Sequence, residues 1–108
     1  MKVLLDVCTP VQVRQALAGH EVLTAVKMGW GELENGKLLQ VAEASGFQLF
    51  IICDKNLRTQ QNLTGRSLAI LELWTNHRPT LEGYSSLIRQ NAEEMQPGEY
   101  RVLAPPVP

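Results

Sequence analysis

FQLFIICDKNLRTQQN, Phe47 to Asn62, joins the most apolar run of the chain to its densest cluster of amide-bearing and basic side chains. Leu49, Phe50, Ile51, Ile52 and Cys53 show no polar alternation, which predicts a central strand covered on both faces by helices. The run stops at Asp54. Open α/β sheets bind ligands at the carboxyl ends of their strands, so a carboxylate there, followed by Lys55, Asn56, Arg58, Gln60 and Gln61, marks a candidate active-site edge. A second reading stays open, in which Asp54 only caps the next turn.

Upstream, Asn35 is expected to cap a helix. Leu38, Val41, Ala42 and Ser45 fall at helical spacing, and Gly46 stops it just before the central run. The preceding MGWGELE, Met28 to Glu34, reads as a loop at the same rim as Asp54. Its Trp30 has two readings, cover for the core edge or a platform for a nucleobase. Glu21 to Lys27, rich in Val, Leu and Thr, reads as a second strand, parallel to a first at Lys2 to Val7 whose rim carboxylate is Asp6. Between them Thr9, Pro10 and Gln12 form a Thr-x-x-Gln capping box with proline at the first helical position. That predicts a helix of about nine residues with Val13, Ala16 and Leu17 buried.

Downstream, Thr64 and Gly65 turn the chain into Ser67 to Trp74, a further apolar strand ending at Thr75, Asn76 and His77. From Pro79 the stripe Leu81, Tyr84, Leu87, Ile88, Ala92 and Met95 predicts one long helix, broken at Pro97 and Gly98. Glu99 to Leu103 reads as an edge strand. Residues 104–108, with three prolines, form a tail that cannot pair regularly in a sheet, leaving 1–103 as a single domain. The expected fold class is α/β, a three-layer α/β/α sandwich around a mainly parallel sheet of about five strands.

Composition narrows the function classes. A chain of 108 residues with 44% hydrophobic and 19% charged residues is globular and needs no disulfide staple. No apolar stretch approaches the roughly 20 residues that span a bilayer, and MKVLLDV does not read as a signal peptide, so a cytoplasmic location without membrane contact is expected. Cys8 and Cys53 match no zinc or redox spacing and are expected to be reduced and largely buried. A net charge of -1 gives no global pull on nucleic acid. Lys55 to Arg66 nevertheless holds three cations and no acid, either a small phosphate-attracting patch or a solvated loop. Asp6 and Asp54 with the surrounding amides and hydroxyls form an oxygen-donor set of the kind Mg²⁺ or Mn²⁺ prefers.

The segments KVLLDVCTP, GHEVLTAVKMGWGELENGKLLQVAEASGF, FIICDKNLRTQQNL and LAILELWTN resemble the PIN-like nuclease domains, in particular a small group with a shortened PIN fold related to ribonuclease toxins. The likeness covers about residues 2 to 77. It implies a metal-dependent ribonuclease acting on single-stranded RNA, with a small antitoxin protein as partner and a homodimer as a further expectation. By position, Asp6 and Asp54 match the acids ending two strands. Asn35 falls where many relatives place an acid and is expected as a further metal ligand. Lys55 and Arg58 would meet flanking phosphates, while Asn56, Gln61, Thr75 and Asn76 would be auxiliary.

The chain also departs from that pattern, because Val7 follows Asp6 where many relatives carry a second acid. An inactive PIN-like module that binds RNA or protein is therefore the alternative. A phosphoacceptor receiver domain shares the acid after the first strand, the central-strand Asp and a Thr after the next strand. It also needs a second acid beside the first and a lysine ending the last strand, where this chain has Val7 and the lysine-free run Glu99 to Pro105.

Overall fold

A computed structural model describes residues 1–53 and 66–104. Its strands are β1 (Lys2–Leu5), β2 (Glu21–Thr24), β3 (Leu49–Ile52), β4 (Ala69–Leu73) and β5 (Tyr100–Leu103). Its helices are a 3₁₀ helix η1 (Val11–Leu17), α1 (Asn35–Ala44), α2 (Arg78–Glu82) and α3 (Ser85–Glu94). The sheet has order β2-β1-β3-β4-β5, and every pairing is parallel. The expectation of a mainly parallel five-stranded sheet is met and tightened.

The central position of β3 follows from its side chains. All four of its residues are buried, which only a strand covered on both faces allows. Val3, Leu5, Leu49, Ile51, Ala69 and Leu71 join one apolar cluster with Val13 and Leu17 of η1, Leu81 of α2, and Ile88 and Ala92 of α3. Leu4, Phe50, Ile52 and Ile70 face the other way, against Leu38, Leu39 and Ala42 of α1. The β2-to-β3 and β4-to-β5 connections step in the same direction across the sheet. Because α1 passes on one face and α2 with α3 on the other, the two crossovers have opposite hands, against the strong preference for a single right-handed sense.

Several local expectations need correction. The Thr9 capping box does not form. Thr9 is buried and its hydroxyl donates instead to the Ile51 carbonyl at 3.0 Å. Pro10 takes the cap position with no side-chain bond, and the segment winds as a seven-residue 3₁₀ helix. The spacing of Val13 and Ala16 by three residues suits that tighter turn. Glu34, not Asn35, occupies the cap of α1, the Leu38 amide donating to the Glu34 carbonyl at 2.8 Å. In α1 the buried residues are Leu38, Leu39 and Ala42, while Val41 is half-buried and Ser45 exposed. The second strand ends at Thr24, and the chain turns over the following residues. The single long helix is two, parted at Gly83 and Tyr84, where the Tyr84 ring meets Trp74 edge-on at 5.2 Å.

Candidate carboxyl-rim site

β1 and β3 are hydrogen-bonded neighbours at the point where strand order reverses, the place where a doubly wound sheet opens a crevice. Asp6, the first residue past β1, continues that ladder, its amide donating to the Ile51 carbonyl at 3.0 Å. Its carboxylate is half-buried, and Oδ2 accepts a hydrogen bond from the Cys8 thiol at 3.0 Å. Thr9 Oγ1 lies 3.6 Å from Cys53 Sγ, so both cysteines meet at this crevice. Both are free and half-buried, less covered than the apolar run around Cys53 suggests, because each stands just beyond a strand end.

Burial, reinforced by the bond to the Asp6 carboxylate, pushes the Cys8 thiol up to about 12. Burial also raises Cys53, against a lowering by its Thr9 hydrogen bond. Both thiols are therefore neutral near pH 7, and Cys8 acts on Asp6 as a donor rather than as a competing anion. Beside them opens a hollow of about 370 Å³, lined by Asp6, Val7, Thr9 and Val11 from the β1 side and by Thr24 and Val26 from the β2 side.

Of the other expected site residues, Asn35, Thr75 and Asn76 are among those described. Asn35, half-buried, begins α1. Thr75 and Asn76 follow β4, and the Thr75 hydroxyl already accepts the His77 amide at 3.1 Å, which closes the local turn. Asp54, Lys55, Asn56, Arg58 and Gln61 lie outside the described residues. Among the described residues no three His, Cys, Asp or Glu side chains are grouped so as to hold a metal ion. Trp30 packs edge-on against Phe47 at 5.8 Å, matching the core-cover reading.

Two features escaped the sequence reading. Glu72 is 4% exposed and accepts the Tyr100 hydroxyl at 2.6 Å, on the face that α1 covers. The register of Leu5, Ile51 and Leu71 sets Glu72 level with Asp6 but two strands away, a backbone separation of roughly 10 Å. A glutamate inside the apolar run AILEL was the available signal. The second is Cys8, whose contact with Asp6 depends on a turn in which the Thr9 amide donates to the Asp6 carbonyl at 3.0 Å.

Comparison of the chain with protein-family models, with curated proteins and with solved structures returns no match.

Proposed function

We propose that the chain is a PIN-like, Mg²⁺- or Mn²⁺-dependent endoribonuclease acting on single-stranded RNA, with Asp6 and Asp54 as its acidic pair. One observation carries the reading. The strand that Asp6 follows and the strand that Asp54 follows in sequence are adjacent at the switch point of the sheet. A three-layer arrangement of PIN type belongs to the same proposal, supported by the two apolar clusters on opposite sheet faces.

The described residues supply one carboxylate, with the Thr9 and Thr24 side chains lining the same hollow, and do not by themselves make a metal site. The Asp6 carboxylate is an oxygen donor of the kind Mg²⁺ or Mn²⁺ prefers, with Asp54 as the second carboxylate and Asn35 as an auxiliary ligand. A bound ion would neutralise charge at the phosphate and activate water. The work of the chain's own groups is positional: Cys8 orients the Asp6 carboxylate, and Lys55 and Arg58 hold flanking phosphates. Asn56, Gln61, Thr75 and Asn76 orient the strand. A toxin role with a small antitoxin partner, a homodimer and a cytoplasmic location extend the same proposal.

One observation favours the alternative of a non-catalytic RNA- or protein-binding module, namely that Oδ2 of Asp6 is already engaged by Cys8. Cleavage of single-stranded RNA with and without Mn²⁺ separates the two. The nuclease reading expects Mn²⁺-dependent cleavage that Asp6→Asn and Asp54→Asn each abolish. RNA bound but left intact by the wild type at every Mn²⁺ concentration would establish the module instead.

A further inference from the structure

We infer that the hollow beside Asp6 seats an unpaired nucleobase of the RNA strand that crosses the rim, an inference that rests on the RNA reading above. Among the described residues the exposed large apolar side chains are Met1, Val7, Val11, Val26 and Val102. Three of the five, Val7 at 53%, Val11 at 39% and Val26 at 66%, line this one hollow. Scattered exposed valines need no explanation, but their convergence on one carboxylate marks a contact surface. The loop after β2 lies against the same side chains, since a Cβ added at Gly31 would stand 3.6 Å from both Val7 and Val26.

The chemistry of the lining selects the occupant. Among the described residues that line the hollow Asp6 is the charged one and Val7, Pro10, Val11 and Val26 are apolar, so the lining offers an apolar face more than a phosphate seat. A ribose would set hydroxyls against valine methyls. A base instead offers two flat apolar faces to the valines and an edge of N–H donors to the threonine hydroxyl oxygens of the lining. The volume of about 370 Å³ falls in the range of small-ligand sites. A protein partner fits less well, because a stable interface covers about 800 Å² on each side. The other exposed apolar residues do not extend this patch: Met1 stands at the amino end of β1 and Val102 on the opposite edge strand.

The test uses the full chain with ¹³C-labelled valine methyl groups, in EDTA so that nothing is cleaved. It is titrated with single-stranded RNA heptamers and with the same heptamers carrying one abasic position. The valine signals of the hollow should shift with intact RNA. Removing one particular base, or making the exposed pair Val7→Ser and Val26→Ser, should weaken binding about tenfold, the loss expected for one buried valine-sized contact. RNA that binds with wild-type affinity to the double variant and leaves these methyl groups unmoved overturns the seat and spares the RNA reading. Absence of both RNA binding and Mn²⁺-dependent cleavage removes the RNA reading and the seat together. Valine shifts that track protein concentration without RNA would assign the patch to a second copy and overturn the proposal.

Discussion

The two ends of the sheet differ in how their polar and apolar side chains are arranged. At the amino end many polar groups pair with one another, although Arg66 Nε is buried without a hydrogen-bond partner among the described residues: the Lys2 amide donates to Gln48 Oε1 at 3.0 Å, and Lys2 Nζ donates to the Ser45 carbonyl at 2.7 Å while lying 4.5 Å over the Phe47 ring. Arg101 binds Glu99 at 2.7 Å, and Arg89 donates to the Ala18 carbonyl at 2.8 Å. At the carboxyl end a half-buried carboxylate and three exposed valines line an open hollow, and two neutral thiols stand beside that carboxylate and Thr9. Both ends carry hollows of similar size, about 360 and 370 Å³, so volume does not distinguish them. Chemistry does: closed polar pairing serves stability, whereas incompletely covered groups at a switch point can serve a ligand.

If that division holds, the largest loss of stability should come from the amino end. Gly98 has φ +77°, and a Cβ there would stand 2.5 Å from the Arg66 carbonyl oxygen, a backbone atom that cannot swing away. Gly98→Ala should cost roughly 2 kcal/mol or more, read as a fall of about 10 °C in thermal unfolding. A wild-type Tm would show that the turn before β5 is not a constraint.

A smaller loss is expected where the carboxyl end is tied to the core. Thr9→Val removes the hydroxyl bond to the Ile51 carbonyl, but that oxygen still accepts the Asp6 amide. The cost should be about 1 kcal/mol by denaturant titration. A loss as large as that of Gly98→Ala would mean that the carboxyl end is as structural as the amino end.

The smallest effect is a pH dependence. Because the folded chain raises the Cys8 thiol to about 12, its stabilisation is fully present below the ordinary thiol range near 9 and is lost as pH rises toward 12. Solvent access at this half-buried site damps the size of the loss. Cys8→Ser should flatten the alkaline limb of the stability profile. An unchanged limb would show that burial of the Cys8 thiol beside Asp6 is not linked to folding.

These residues also show what the sequence made legible. The unalternating LFII run implied a strand buried on both faces, and the terminal Asp6 implied a rim carboxylate, because strand periodicity and position are local properties. The capping box failed because Thr9 found a tertiary acceptor on β3, and no local pattern announces a contact 42 residues away. The long helix failed because Trp74 and Tyr84 pack at the break. Cys8 on Asp6, and Glu72 with Tyr100, depend on turns and strand register that exist only after the sheet has assembled.

The central claim, that the carboxyl end at Asp6 is the functional end, is tested most directly by titrating ¹⁵N-labelled chain with Mn²⁺ and following paramagnetic line broadening. The account predicts that the amides of Asp6, Val7, Cys8 and Cys53 broaden first, that Gln48 and Gly98 at the other end stay sharp, and that Asp6→Asn removes the effect. Broadening centred on the amino end, or none at all at millimolar Mn²⁺, would contradict it.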